Sequence, residues 1–558
     1  MPGAAALCYP ARVRFAPLVL GVLCVLTLFL GLDRVGFFDE REARDAEVAR
    51  ELIARREFLT PLYGTSALYE KPWPAYGFEI ASQLVAPADE PLRSRQIRGA
   101  LALLLMLVTG IAGARHFGVR AGILASGVLA TSVLLPLAAR SDGTQVLGSL
   151  AAWVGCTGLA DVVFGRARGR DLRLVVTYGA LAVALVCAGP LAALWPLGGL
   201  ALYAALARDP QDWRRAQVPW GLALMVGVAL PWYGAMIERH GGAFLARVPF
   251  FPYAVGPPMP WYTGFVFAVP FLIVGFFPWS AVLPDAMLHA ATWWRGRLAL
   301  LRLGPTGPEV TPVAAIERER REERAAHFFI SCLLAALAPI LVYPSRPLTA
   351  ALPAAPAAAL LCGRLLDHLF ESPGRLSGPF TRSTLTLAAV GSVAAGSFAV
   401  LGSRLGGAAP VLRLLGAAVL LCSWAPFLAD LVRRRRAAAL LMALPLAVGM
   451  PIISLRVLPA MEDWMNTRSA ALAFDAVAPA RAPLLTVGPA APSLRYYARR
   501  NLVAAAPDPE ELLACRAADG MTYLAFRPSR EREVARRVQT PLEILLRTPS
   551  IVLARVSP

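Results

Sequence analysis

The stretch Tyr69-Glu-Lys-Pro-Trp-Pro-Ala-Tyr76 lies in a polar segment between two long apolar runs, 16–32 and 97–114. Lys71 inside it is the only lysine, so the other 54 of the 55 Lys+Arg residues are arginines. A drift in composition toward Arg, Ala, Gly and Pro would explain this imbalance, and the stretch would then be a surface turn. An ammonium is a compact point charge and a guanidinium a planar fork, so a retained lysine also indicates a site where this difference matters.

Apolar runs of about 20 residues recur from Ala16 to Pro459, which is the length that a helix needs to cross a bilayer. The chain has 558 residues, of which 57% are hydrophobic, and its mean hydropathy is +0.55. We therefore predict a mainly α polytopic membrane protein with about 13 transmembrane helices. The predicted spans are 16–32, 97–114, 119–138, 143–163, 174–189, 191–207, 217–236, 262–284, 326–343, 348–366, 383–402, 409–430 and 437–457.

Arginines are unevenly distributed between the two sets of loops that join these spans. With the N-terminus inside, the loops on its side hold about 25 arginines, against about five in the short loops opposite. The positive-inside rule therefore predicts an inner-membrane protein whose loop 33–96 and C-terminal segment are periplasmic. These loops also account for the net charge of +18, so we predict membrane lipids as partners and no nucleic acid.

The loop 33–96 is too long for a plain connector, and two parts of it have helical periodicity. Small and apolar residues recur at helical spacing over Glu42 to Arg56 and again over 73–86, so we predict two amphipathic surface helices. We also predict a transmembrane domain over 1–459 and a soluble α/β domain over 460–558. The elements predicted in the latter are a strand at 483–488, a helix at 492–500 and strands at 522–526 and 551–554.

Carboxylates crowd the beginning of the first surface helix: Asp39, Glu40, Glu42, Asp45 and Glu47. Carboxylates are favoured at helix N-termini, which explains some of them as caps. The other interpretation is a general base, or metal ligands, aimed at a lipid-carried substrate. Sugar transfer from a sugar phosphate needs one carboxylate to take the acceptor's proton, and positive charge where the leaving phosphate becomes negative. The cations predicted on the same side are Lys71, Arg346 and Arg140.

Several motifs in this chain resemble those of a known family. Ala46-Glu-Val-Ala-Arg-Glu-Leu52, Phe58-Leu-Thr-Pro61 and Tyr69-Glu-Lys-Pro72 with Tyr76 resemble the first exoplasmic loop of family 39 glycosyltransferases of the GT-C type. This family includes the dolichyl-phosphate-mannose protein mannosyltransferases and, closer in pattern, the bacterial aminoarabinose lipid A transferases. Later motifs that resemble the family are Ala139-Arg-Ser-Asp142, Ala188-Gly-Pro-Leu191, Ser345-Arg-Pro-Leu-Thr349 and Pro492-Ser-Leu-Arg-Tyr-Tyr497.

The resemblance implies a GT-C glycosyltransferase that moves a sugar, with inversion, from a polyprenyl-phosphate donor to a lipid or protein acceptor. It also implies a catalytic aspartate in the first loop and often a divalent cation, for which Glu70 is a candidate ligand. In register, the family's Asp-Glu pair falls on Arg41-Glu42, with Asp39-Glu40 two residues early, so the catalytic residue is either Asp39 or Glu42. The remaining predicted residues are Lys71, Arg346 and Arg140 for the donor phosphate, and Glu40, Tyr76 and Asp142 for substrate binding.

The chain also departs from the family at three places. Ala188 stands where a lysine is usual, Ala350 where a tyrosine is usual, and loop 249–261 lacks the expected His and Arg, with His240 well upstream. An alternative function is therefore a catalytically lapsed family member that binds lipid-linked sugar or a protein partner. A transporter is a third interpretation, which we disfavour because we expect the spans to lack the buried charges that transporters use for coupling.

The arginine asymmetry generates a prediction about orientation. A cysteine introduced at Thr65, in a background without reactive cysteines, should react with a membrane-impermeant thiol reagent in intact spheroplasts. A control cysteine at Arg434, in the run Arg433 to Arg436, should react only after lysis. Protection of the Thr65→Cys variant before lysis would contradict the predicted orientation.

Overall fold

The structure is a computed structural model. It describes residues 16–39, 41–64, 66–85, 91–165, 170–207, 210–248, 251, 253, 260–300, 313–343, 345–372, 377–479, 482–498, 502–505, 517–538 and 541–557.

Ten described helices are long and apolar enough to cross a membrane. They are Pro91–His116, Gly143–Phe164, Arg170–Ala188, Pro190–Ala207, Gln211–Leu245, Glu319–Leu341, Leu348–Glu371, Gly378–Arg404, Ala409–Leu431 and Arg435–Ala460. Two bent pairs meet the same criterion: Val119–Ala130 with Leu134–Ser141, bent by 54°, and Tyr262–Gly275 with Trp279–Ala291, bent by 115°. The described residues thus contain up to 12 spans, which confirms a multi-pass membrane protein.

Each of these spans matches one predicted span. The thirteenth prediction, 16–32, contains only the short apolar helix Leu18–Phe29, which is too short to cross a bilayer alone. The predicted number of spans is therefore one higher than the described residues support.

The described chain forms two compact units. The first comprises Met1–Leu30, Tyr69–Ala75 and Arg98–Ile452, and the second comprises Gly31–Leu68, Tyr76–Ile97 and Ile453–Pro558.

In the first unit, Leu348–Glu371 is the most deeply buried of the ten long spans. Of its most apolar 18-residue segment, 94% is buried inside the protein. Its glycine and alanines let neighbouring helices approach closely. A Cβ added at Gly363 would lie 2.7 Å from the main-chain atoms of Ala121 and Ala125, so the contact with helix Val119–Ala130 requires glycine there. Small residues thus bring the spans together where no larger side chain would fit.

The second unit contains a five-stranded sheet. Its strands are β1 (Leu484–Val487), β2 (Leu502–Ala505), β3 (Thr522–Phe526), β4 (Leu542–Arg547) and β5 (Val552–Val556), in the order β2-β1-β3-β5-β4. Strand β1 is parallel to β2 and β3, whereas β5 is antiparallel to β3 and β4. Alternate residues of β3 enter different cores: Tyr523 packs with Phe474 on one face, and Leu524 packs with Val534 on the other. The sheet is therefore covered on both faces.

The elements predicted over 483–488, 492–500, 522–526 and 551–554 are confirmed as β1, the helix Pro492–Ala498, β3 and β5. Strands β2 and β4 and the helices Arg468–Val477 and Glu531–Val538 are additions that the sequence pattern did not predict.

Both helices predicted in the loop 33–96 are present, at Glu42–Arg55 and Gly77–Val85. The first buries a row of small and apolar residues against its neighbours: Ala43, Ala46, Val48, Ala49 and Leu52.

A buried ion pair holds the beginning of helix Glu42–Arg55. Glu42 and Arg95 are 2% and 3% exposed, and their closest charged atoms are 2.7 Å apart. Arg95 also donates to three main-chain carbonyls, of Leu32 at 2.8 Å, Val35 at 2.7 Å and Gly36 at 2.8 Å. One guanidinium thus fixes the turn before the helix and the carboxylate at its first residue.

Glu42→Gln should therefore destabilise the protein strongly, because it leaves the Arg95 charge buried without its counter-ion. We expect a loss of about 3–5 kcal/mol, measured as a fall in the thermal unfolding midpoint of purified protein. The matched control is Glu51→Gln on the same helix, whose ion pair with Arg55 is partly exposed and should contribute only about 0.3–0.5 kcal/mol. Equal midpoints for the two variants would contradict the structural role of Glu42.

Candidate active site

Asp142 begins the helix Gly143–Phe164. Its Oδ1 accepts the main-chain N–H of Gln145 at 3.2 Å, which makes it the helix N-cap. The predicted acidic turn at Ala139–Asp142 is thus the point at which one span ends and the next begins.

The other carboxylate oxygen of Asp142 joins segments that are far apart in sequence. Asp142 Oδ2 accepts from the Tyr253 hydroxyl at 3.0 Å and from the Thr349 hydroxyl at 2.9 Å. The Tyr253 hydroxyl also lies 3.0 Å from Gln145 Oε1. All four side chains are buried, so these hydrogen bonds satisfy polar groups that solvent water does not reach.

Lys71 reaches the same helix. Its side chain is 7% exposed, and its Nζ donates to Thr144 Oγ1 at 3.0 Å. Thr144 is in the first turn of the helix, where the main-chain dipoles are positive. A buried ammonium therefore lies at the beginning of the same 22-residue helix that the Asp142 carboxylate caps.

His240 also contacts the Lys71 segment. The Tyr69 hydroxyl and His240 Nδ1 share a hydrogen bond of 3.1 Å, and the two rings are 5.0 Å apart. His240 precedes Gly241, where the chain adopts a φ of 54° that favours glycine and interrupts the helix Val218–Leu245. His240 lies well upstream of loop 249–261 in sequence. In the structure it contacts Tyr69, which is two residues before Lys71.

Two predicted phosphate ligands bind main-chain carbonyls. Arg140 donates to Thr27 O at 2.6 Å and Leu30 O at 2.9 Å. Arg346 donates to Ile340 O at 2.9 Å and Leu341 O at 3.1 Å, and to the Thr263 hydroxyl at 2.6 Å. Both guanidinium groups therefore hold local backbone in the first unit.

Ala188 and Ala350, which replace the lysine and tyrosine usual in the family, lie close together in the structure. Both alanines line one small cavity, together with Gln145 of the Asp142 cluster. Ala188 packs tightly, because a Cβ added at Gly148 would lie 2.4 Å from its methyl group. The lysine and tyrosine usual in the family are thus absent from one shared place.

The predicted carboxylates Asp39, Glu42 and Glu47 belong to the second unit. Asp39 is half-buried, and its Oδ1 accepts the main-chain N–H of Ser493 at 2.8 Å. Both oxygens of Glu42 accept from Arg95, and Oε2 also accepts from Phe38 N at 2.9 Å. Burial raises the pKa of the Glu47 carboxyl above its ordinary value, although the Arg50 guanidinium lowers it.

The remaining predicted residues are placed as follows. Tyr76 is 1% exposed and packs against Val48 and Leu52 in the second unit. Glu70 is half-buried in the first unit, and Glu40 lies outside the described residues. The part of the chain that the structure describes contains no group of three or more His, Cys, Asp or Glu that could hold a metal ion.

The expectation that the spans lack buried charge is wrong. Arg98 is 1% exposed and Arg364 is 7% exposed, and both lie within apolar helices of the first unit. Arg98 Nη1 donates to Arg140 O at 3.2 Å, so this charge too is bound to main chain. The argument against a transporter that rested on an absence of buried charge therefore no longer holds.

Comparison with known proteins identifies the fold. No protein-family model matches the chain, and no curated protein matches it in sequence. Solved structures with the GT-C fold of membrane glycosyltransferases do match, so the predicted GT-C fold is confirmed. One protein that the chain resembles is ArnT from Cupriavidus metallidurans, an aminoarabinose transferase, as the family resemblance predicted.

The apo ArnT structure covers 98% of both chains at 18% identity, with a TM-score of 0.72. ArnT bound to undecaprenyl phosphate matches over the same 98% of both chains, at 18% identity and a TM-score of 0.71. An oligosaccharyltransferase from Archaeoglobus fulgidus is more distant, with 12% identity and a TM-score of 0.48 over 92% of this chain and 68% of that one. At these identities the similarity to ArnT defines the fold.

Proposed function

We propose that the protein is an integral-membrane glycosyltransferase that moves a sugar from a polyprenyl-phosphate donor to a lipid or protein acceptor. The ArnT-like fold over 98% of the chain supports this, as does the undecaprenyl phosphate bound in one ArnT structure. The observation in this chain that carries the proposal is the buried Lys71 ammonium on Thr144, in the first turn of a span. A cation at the positive end of a helix favours an anion, and a polyprenyl phosphate supplies one.

In this proposal Lys71 binds the donor phosphate and stabilises it as it leaves. A phosphate leaving group needs no proton at neutral pH, whereas its growing negative charge needs a cation held in place. The carbonyl contacts of Arg140 and Arg346 favour a supporting role for these two residues. Asp142 is proposed to fix the turn that carries Thr144 and to present Tyr253 and Gln145 to the sugar.

We assign the base to Asp39 rather than to Glu42. A base at Glu42 would have to give up a buried ion pair with Arg95, whereas Asp39 is only half-buried. Asp39 takes the proton of the acceptor hydroxyl while the acceptor oxygen bonds to the anomeric carbon. The bond from that carbon to the phosphate oxygen breaks on the opposite face, and its electron pair leaves with the polyprenyl phosphate, so the configuration inverts. Substrate binding by Glu40 and Tyr76 and metal binding by Glu70 stay predictions.

We place the reaction at the periplasmic face of the inner membrane and propose lipid A as the first acceptor to examine. Mass spectrometry of lipid A and of envelope glycans, with and without the gene, tests this. The expected result is a pentose or hexose substituent that disappears with the gene. Identical spectra, together with no turnover of any undecaprenyl-phosphate sugar by purified protein, would contradict the proposed function.

A second candidate is a lapsed transferase that only binds lipid-linked sugar or a protein partner. The observation that favours it is the loss of the family's lysine and tyrosine at one cavity, where Ala188 and Ala350 stand. Binding of undecaprenyl phosphate without turnover of any undecaprenyl-phosphate sugar would support this alternative.

Lys71 variants provide a direct test of the phosphate site. Lys71→Ala should weaken undecaprenyl phosphate binding by about 2–3 kcal/mol, roughly a hundredfold, because it removes one charge-assisted contact. Lys71→Arg should still lose about tenfold, since the planar fork cannot replace a compact ammonium on Thr144. Binding is measured by titration of the purified protein.

Thr144→Val removes the oxygen that orients the ammonium and should weaken binding less than Lys71→Ala. The matched control is Thr157→Val on the same helix, whose hydroxyl donates only to Val154 O, and it should bind normally. Full binding and turnover by Lys71→Arg would mean that Lys71 is retained by chance.

Asp39→Asn tests the base. It should abolish turnover and leave undecaprenyl phosphate binding and the unfolding midpoint unchanged, because a proton acceptor acts in the transition state and Asn keeps an oxygen for Ser493 N–H. The exposed Asp463 provides the control, Asp463→Asn, which should retain full turnover. A near wild-type rate for Asp39→Asn would reduce Asp39 to a structural residue and refute the mechanism.

A further inference from the structure

The first unit has two adjoining cavities where the arginine-rich ends of several spans meet. The larger, of about 660 Å³, lies among helices Pro91–His116, Gly143–Phe164 and Arg170–Ala188. The smaller, of about 440 Å³, is lined mainly by arginines. The residues that line both are Phe164, Gly165 and Arg321.

The larger cavity changes from apolar to charged along its length. Ile111 and Val176 line its apolar part and are 51% and 54% exposed. Arg115 follows Ile111 by one helical turn, and Arg173 precedes Val176 by nearly one turn, so both helices become charged toward the same end. An apolar slot with cations at one end has the chemistry of a phospholipid site, in which an acyl chain lies beside the helices and the headgroup binds the cations.

The lining has a large excess of positive charge. Asp161 is the only carboxylate that lines either cavity within the described residues, and it is paired with Arg115 at 2.5 Å. The buried Asp212 pairs with Arg324 at 2.6 Å and with Arg215 at 3.4 Å. The arginines that line the two cavities are Arg115, Arg170, Arg173, Arg215, Arg320, Arg321 and Arg324.

Three of these arginines, Arg173, Arg320 and Arg321, form no ion pair within the described part of the chain. On the helix Val313–Leu337, the arginines at 320, 321 and 324 line the smaller cavity. The charges of its glutamates at 319, 322 and 323 act on Arg364, and the charge of Arg320 acts on Glu323.

We propose that the two cavities form a binding site for one anionic phospholipid. Its acyl chain lies along Ile111 and Val176, and its phosphate binds Arg173 and Arg321. A zwitterionic choline headgroup would bring its own cation to the arginines, so the site selects lipids with net negative charge. In the predicted orientation these ends face the cytoplasmic leaflet, where basic clusters beside spans bind anionic headgroups. The site is independent of the proposed sugar transfer.

The test uses full-length protein in nanodiscs of phosphatidylcholine with added phosphatidylglycerol, and native mass spectrometry to count retained lipid. Wild-type protein should retain one phosphatidylglycerol in preference to phosphatidylcholine. The double variant Arg173→Gln/Arg321→Gln should bind it about 30-fold more weakly, since each arginine near a headgroup contributes about 1 kcal/mol. The matched control, Arg433→Gln/Arg434→Gln, removes two exposed arginines that line neither cavity and should bind normally.

A third variant, Ile111→Trp, fills the apolar slot and leaves every arginine in place. It should weaken phosphatidylglycerol binding, and excess inorganic phosphate should not displace the lipid from wild-type protein. The unfolding midpoint in pure phosphatidylcholine establishes that each variant is folded. The proposal is overturned if phosphatidylcholine is retained equally well, if the control loses as much binding as the cavity variant, or if both Ile111→Trp and the double variant bind normally. Displacement by inorganic phosphate would make it a soluble-anion site and would also overturn it.

Discussion

The carboxylate of Asp142 is the interaction on which the polar interior of the first unit depends. It caps the helix Gly143–Phe164 and accepts from Tyr253 and Thr349, which lie 111 and 207 residues further along the chain. A carboxylate has about four acceptor positions, so one side chain can fix a helix and two distant segments at once. Since the same turn carries Thr144, this cluster also sets the position of the hydroxyl that binds Lys71. Loss of Asp142 would remove the acceptor shared by the Gln145 main-chain N–H and the Thr349 and Tyr253 hydroxyls, of which Tyr253 alone has a second acceptor, Gln145 Oε1. The turn that holds the only lysine would then lose its anchor.

Hydropathy predicted the spans well because length and apolar content determine what can cross a bilayer, and it missed what bends them. The runs 119–138 and 262–284 read as continuous, yet both are bent. The bends satisfy each other: Val133 N donates to Phe277 O at 3.2 Å, and Trp279 Nε1 donates to Thr131 Oγ1 at 2.9 Å. A bend inside a membrane frees backbone groups that need partners, and here the partners come from a segment about 150 residues away. No local pattern contains that information. Strand β4, Leu-Glu-Ile-Leu-Leu-Arg, was missed for the opposite reason, because its residues favour helix and only pairing with β5 makes it a strand.

The candidate site divides in the same way. Lys71 and Asp142 were predictable because residue type and motif single them out, and both prove to be buried and bound to one helix terminus. Thr144 and Tyr253 could not be predicted. Thr144 lies in an apolar run and Tyr253 in a loop that departs from the family pattern, so neither residue stands out in the sequence. His240 was considered as the histidine expected in loop 249–261, but its distance from that loop in sequence argued against it. Its hydrogen bond with Tyr69 places it beside the Lys71 segment. For Glu42 the sequence left a catalytic and a structural role open, and the five hydrogen bonds of Arg95, two of them to Glu42, favour the structural one.

The contacts of the buried arginines differ from those of the only lysine, Lys71. Arg95 binds three main-chain carbonyls, and Arg140 and Arg346 bind two each, so a planar fork with several donors is used wherever buried backbone needs a cation. A lysine retained by chance at one of these arginine sites would have to bind several carbonyls with a single ammonium, which it does less well than a guanidinium. Lys71 instead donates to a side-chain hydroxyl at a helix beginning, where the backbone offers N–H groups rather than carbonyls. Arginine's advantage of binding several carbonyls at once is absent there. The chemistry of the place therefore argues against composition drift as the reason that this one lysine is different.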